Sequence, residues 1–154
     1  VIRAMPKTPA LVGEGASAIA GGAHSNEVDI AWAEAVLGSV GLVVRVPETQ
    51  LDVVTGLAGS GPAYLFLVAE ALMDAGVASG LPRATAETLV RQLFVGSAKL
   101  LAQGEAPADL RASVTSPGGT TVAGVSVLET EAVRAAFIQA VQAATDRSRE
   151  LGNR

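Results

Sequence analysis

The 154-residue chain contains no cysteine and a single histidine, His24. The first absence excludes disulfides, thiolate nucleophiles and cysteine-ligated zinc, and the second excludes metal sites built on paired imidazoles. Aromatic residues make up only 3%, lysine and arginine are not clustered, and the net charge is -4. That balance excludes nucleic acid and an anionic membrane surface as partners. The longest charge-free apolar run, from Val53 to Ala69, is broken by Gly56, Gly59, Gly61 and Pro62. It falls short of the roughly 20 residues a membrane span needs, so none is expected. VIRAMPKTP has neither a basic n-region nor a continuous apolar h-region, which makes the cytoplasm the default location. Val1 begins the chain inside an apolar stretch, and the expectation is that these residues belong to something longer.

What is present is a globular composition, 49% hydrophobic, with a mean hydropathy of +0.41. Two textures divide it. Residues 1–47 read as the tail of an α/β unit, with strand character in VIRAMP, in the alternating ASAIAGG and in GLVVRVP. Between them, Asn26 with Asp29 three residues on predicts a capped helix running through Ile30, Ala33 and Leu37 to a stop at Gly41. Residues 48–154 read as helical throughout. Thr49 and Asp52 predict a capping box, Pro62 the first turn of a helix ended by Gly80, and Pro82 another. The latter carries Ala86, Leu89, Val90, Leu93, Phe94, Ser97, Leu100 and Leu101 at amphipathic spacing. Short helices over PADLRASV and TVAGVSVLE and a last one from EAVRAAF follow. The fold class is therefore mainly α after a short α/β segment. AYLFLVAEAL is apolar on nearly every face, and such a helix must be covered on every face, which predicts a self-association surface.

Between two of these helices lies TSPGGTT, residues 115–121. Glycines before a helix start let a ligand approach the backbone, and the free N–H groups of a first turn attract a carboxylate or phosphate. Gly118, Gly119 and the amides of Thr120 and Thr121 thus form a candidate anion cradle, with the hydroxyls of Ser116 and Thr121 beside it. A helix linker with hydroxyl caps explains the same residues equally well. LAGSGPAY, residues 57–64, lacks the lysine of a phosphate loop and reads as a sharp, closely packed helix-to-helix bend. GEGASA, residues 13–18, fits a dinucleotide fingerprint in letters only, since no helix follows it. His24 reads as a surface residue, and Glu48, Asp52 and Glu70 are scattered carboxylates without an acid/base pairing. A cradle without an acid or base suits a reaction whose chemistry a cofactor supplies.

RAMPKTPALVGEG, LDVVTGLAGSGPAYLFLVAEALMDAGVASGLPR and VTSPGGTTVAGVSVLE, in this order and spacing, closely resemble the pyrroline-5-carboxylate reductase family. The resemblance runs over essentially the whole chain. It implies that residues 1–47 are the last strands and helix of a Rossmann-type dinucleotide-binding domain whose fingerprint half is missing. It implies that residues 48–154 are an all-helical dimerisation and substrate-binding domain, interlocking in a homodimer or higher oligomer. The implied reaction is reduction of 1-pyrroline-5-carboxylate to L-proline with NADPH or NADH, with no turnover by these residues alone. Ser116, Gly118, Gly119, Thr120 and Thr121 would hold the substrate carboxylate, Thr121 acting at the ring nitrogen. Met5, Pro6 and Lys7 would border the cofactor. Two positions depart from the family pattern, which has asparagine where Lys7 stands and serine where Ala58 stands. A stand-alone small-carboxylate-binding dimerisation module and a related imine or keto-acid reductase are the rival readings.

Overall fold

The computed structural model describes residues 1–152. It begins with β1 (Ile2–Met5), a 3-10 turn (Thr8–Val12), β2 (Gly15–Gly21), α1 (Glu27–Gly38) and β3 (Gly41–Arg45). A second 3-10 turn (Glu48–Gln50), α2 (Leu51–Val54) and a π-turn (Thr55–Gly59) lead into α3 (Gly61–Ala78). The rest is α4 (Arg83–Leu101), α5 (Pro107–Ser113), α6 (Thr120–Thr130) and α7 (Val133–Gly152). The chain forms two compact units, one of residues 1–64 with α7 from Ala136 onward, the other of residues 65–135.

In the first unit β2 is the central strand, antiparallel to β1 (Met5 opposite Ala18) and parallel to β3 (Ala18 opposite Val44). A parallel pair needs a crossover, and α1 supplies it. The small residues of β2 are buried, and Ala18 and Ala20 pack with Leu51 of α2, flanked by Val46 and Val54. Asn26 forms the expected capping box: its side chain accepts from the Asp29 amide at 2.9 Å while Asp29 accepts from the Asn26 amide at 3.0 Å. Such a cap stabilises a helix by about 1 kcal/mol. The expected stop at Gly41 is displaced. α1 ends at Gly38, and Gly41 instead opens β3 at φ +149°, where a Cβ would lie 2.1 Å from the Gly15 carbonyl oxygen. The glycine serves the close pairing of two strand ends. Arg45 then binds Glu34 through two bonds of 2.5 and 2.6 Å and Glu27 at 2.5 Å, tying β3 to α1.

Two expectations about residues 48–64 are corrected. Thr49 caps nothing, because Pro47 starts a 3-10 turn ahead of it; Asp52 instead accepts a 2.6 Å hydrogen bond from Ser148 of α7. LAGSGPAY does not bend sharply either, since the backbone widens into the π-turn and resumes as α3 after Ser60 alone. The close packing is present. At Gly56 an added Cβ would come 2.3 Å from Thr145 Oγ1 and 2.7 Å from the Val141 carbonyl oxygen of α7. The Tyr64 hydroxyl lies 3.2 Å from the Gly56 carbonyl and 3.4 Å from that of Ala140, so it can donate to one of the acceptors a π-turn leaves free. The resulting helical stretch, Glu48–Ala78, spans 31 residues and is, among the described residues, long and apolar enough to cross a bilayer by length and composition, which the charge-free run alone did not reveal.

α3 buries none of its residues within one chain. Leu65, Phe66 and Leu67 are 54, 63 and 64% exposed. On α4 only Ala86 and Val90 of the predicted face are buried, while Leu89, Leu93, Leu100 and Leu101 stand about half open. Leu65, Leu72, Leu93, Phe94 and Leu101 line an apolar groove of about 370 Å³. The full coverage expected of AYLFLVAEAL is therefore not met by the chain's own residues.

Candidate functional site

The second unit carries TSPGGTT between α5 and α6. Gly118 takes φ +70°, a left-handed conformation that glycine adopts at no steric cost, and turns the chain toward α6. Gly119 is the extended N-cap residue of α6, and no side chain caps that helix. Its amide donates to the Ser116 carbonyl at 3.0 Å, and a Cβ on it would lie 2.5 Å from Ser116 Oγ. Ser116 is thereby folded back over the helix start. The following amides, of Thr120, Thr121 and Val122, belong to the first turn, which has no intrahelical acceptors. Thr115 donates to the Arg111 carbonyl at 2.5 Å and is committed to closing α5. Ser116, Thr120 and Thr121 have no hydroxyl partner among the described residues, and Thr121 is half-buried where Thr120 is exposed. Open amides, a helix dipole and the free hydroxyls of Ser116 and Thr121 at one helix start fit a carboxylate with a hydrogen-bonding group beside it.

A surface clamp ties α5 to the far end of α6. Glu129 of α6 accepts from Arg134 at 2.7, 2.8 and 2.9 Å and lies 3.8 Å from Arg111 of α5. The hydrogen bonds from Arg134 hold the Glu129 carboxyl below the usual carboxylate range. A depressed acid contributes stability above its unfolded pKa and loses it as pH falls through the folded one. The melting-temperature difference between wild type and Glu129→Gln is expected to be constant above about pH 5 and to shrink below about pH 4. A circular-dichroism melt series checks this, and a difference that persists to low pH would rule the clamp out.

The remaining sequence candidates fall in the first unit. Met5 ends β1, Pro6 is exposed, and Lys7 is 9% exposed. Burial pushes the Lys7 amine down from its ordinary value. GEGASA is the left-handed exit of a 3-10 turn followed by β2, with no helix to hold a pyrophosphate, as expected. His24 is exposed in the turn before α1. Sequence reasoning missed the contact of Lys7 with Gly59 and the Gly56–Tyr64–Thr145 packing, because neither has a signal in residue spacing.

An antiparallel-edged sheet remnant followed by long helices with open apolar faces, one of them starting at an uncapped glycine loop, defines a helical association domain joined to the end of an α/β domain. The pyrroline-5-carboxylate reductase dimerisation family matches residues 48–151. The chain belongs to the pyrroline-5-carboxylate reductase family. It is 52% identical to a pyrroline-5-carboxylate reductase of Synechocystis, over 100% of this chain and 58% of that relative. Among solved structures it superposes on a pyrroline-5-carboxylate reductase of Coxiella burnetii with a TM-score of 0.93 at 41% identity, covering 97% of this chain and 56% of that one. The enzyme of Plasmodium falciparum, solved with NADP bound, gives 0.90 at 34% identity over 98% of this chain and 61% of its own. The chain thus spans somewhat more than half the length of the relatives it matches.

Proposed function

We propose that the protein to which these residues belong reduces 1-pyrroline-5-carboxylate to L-proline with NADPH or NADH, residues 1–47 closing its dinucleotide-binding domain and residues 48–154 forming its substrate-binding and dimerisation domain. The carrying observation is the uncapped start of α6 behind Gly118 and Gly119, with Ser116 and Thr121 hydroxyls free beside it. The amides of Thr120 and Thr121 and the Ser116 hydroxyl hold the carboxylate, which fixes the ring in one orientation; the Gly119 amide, expected as a third donor, is already engaged with the Ser116 carbonyl. The Thr121 hydroxyl bonds to the ring nitrogen. Met5, Pro6 and Lys7 would border the nicotinamide cofactor, which would supply the hydride to the C=N carbon, and the proton carried by the ring nitrogen afterwards would come from solvent or from the already protonated imine. Fixed positioning of this kind lowers a barrier without a protein acid, because the entropy of alignment is lost before reaction.

The open faces of α3 and α4 are covered by a second copy in an interlocked homodimer acting in the cytoplasm, and the 154 residues alone do not turn over. The test is NADPH oxidation on adding pyrroline-5-carboxylate to the protein made from its complete reading frame, with mass measured by light scattering. Turnover from a dimer or larger assembly is expected. A folded protein that oxidises neither nicotinamide cofactor would move the assignment to a carboxylate-binding module.

A further inference from the structure

Lys7 is the most buried cation among the described residues and has neither an ion-pair partner nor a hydrogen bond there. Arg3, Arg45, Arg83, Arg111, Arg134, Arg147 and Arg149 all have a carboxylate within reach and stay partly open to water. Arg91 and Lys99 lack one but are exposed. An ammonium taken out of water without a partner is costly, and proteins normally pair it or replace it. No fully buried side-chain nitrogen or oxygen among the described residues lacks a hydrogen bond. The Lys7 amine is therefore the tip of a buried stem that still reaches solvent. That tip rests on the π-turn, where a Cβ on Gly59 would lie 2.6 Å from Nζ and 3.4 Å from Cε. The glycine leaves the space the amine fills. The position follows the end of β1 through Pro6, which fixes the backbone entering it.

We propose that Lys7 is an anion-binding, specificity-determining residue whose ammonium receives an anionic oxygen group, either a phosphate of the dinucleotide or the carboxylate of the imine acid. This rests on the reductase reading above. The asparagine of the motif that the chain resembles would carry no charge at this place, so the lysine adds a cation that no carboxylate among the described residues pairs with. A partly desolvated ammonium meeting an anion forms a charge-assisted hydrogen bond, the strong kind, which offsets the hydration its buried stem has cost.

The test uses the complete chain as wild type, Lys7→Met, Lys7→Asn and Gly59→Ala. Dissociation constants for NADPH and NADH are measured by fluorescence without turnover, the KM for pyrroline-5-carboxylate by rate, and stabilisation by inorganic phosphate by thermal melts. Lys7→Met is expected to weaken one anionic ligand about tenfold or more. Gly59→Ala, which keeps the charge but pushes the amine aside, is expected to weaken the same ligand. Loss on both nucleotides assigns the pyrophosphate, loss on NADPH alone the 2′-phosphate, and a raised KM with unchanged nucleotide affinity the substrate carboxylate. Without ligand, Lys7→Met is expected to melt higher than wild type, since the buried charge is gone. Unchanged binding in folded Lys7→Met and Lys7→Asn, or a lower melting temperature for Lys7→Met, would overturn the proposal. Should wild type bind neither nucleotide, the reductase reading fails by itself; phosphate stabilisation that disappears in Lys7→Met would still support the anion site.

Discussion

Replacing Gly56 with alanine is expected to lower stability by about 3 kcal/mol, at the upper end of ordinary overpacking. The new methyl would meet Thr145 Oγ1 at 2.3 Å and the Val141 carbonyl oxygen at 2.7 Å, and one of these is backbone. Thr145 cannot swing away freely, because it is 3% exposed and its hydroxyl donates to that same Val141 carbonyl at 2.8 Å. Relief requires α7 to move off the π-turn, which strains the Tyr64 and Ser148 hydrogen bonds as well. For a chain of this size the melting temperature would fall by roughly 6 to 12 °C. Gly38→Ala is the control, since a Cβ there has nothing within 4 Å. Equal melting of the two variants would mean that the approach of α7 to the π-turn is looser than described.

Thr121→Ala is expected to remove about 1 to 3 kcal/mol of transition-state binding, a fall in kcat/KM of roughly 5- to 150-fold, in the complete protein. The half-buried Thr121 hydroxyl has no partner among the described residues, so its truncation breaks no hydrogen bond there and is expected to leave the mass of the assembly unchanged. Thr120→Ala, at an exposed position whose amide is the contributing group, separates the two roles and should lose far less. A wild-type rate from Thr121→Ala would remove that hydroxyl from the mechanism.

The sequence showed the elements wherever a local signal set them: the Asn26 box, the strand character of β2, Pro62 in the first turn of α3, Pro82 at the cap of α4, and the glycine pair before α6. It misread places where a distant partner decides. Asp52 looked like a capping residue but is taken by Ser148, and Gly41 looked like a helix stop but is reserved for Gly15. Residues 57–64 read as a bend because glycine and proline usually break a helix, yet the backbone widens into a π-turn and continues, with Val141 and Thr145 of α7 packed against Gly56. The loop of Ser116 to Thr121 was legible because its chemistry lies in consecutive residues. Gly59 went unnoticed because its partner, Lys7, is remote in the chain.

The first unit is not contiguous in the chain: it is interrupted by residues 65–135 and completed only by α7. Synthesis proceeds from the N-terminus at about 5 to 20 residues per second. The groove at Gly56 and the carboxylate of Asp52 therefore wait for Thr145 and Ser148 until α7 leaves the ribosome. A nascent chain halted before residue 136 holds β1, β2, β3 and α2 without the helix that seals them, so termination ahead of α7 acts as a lesion of the first unit.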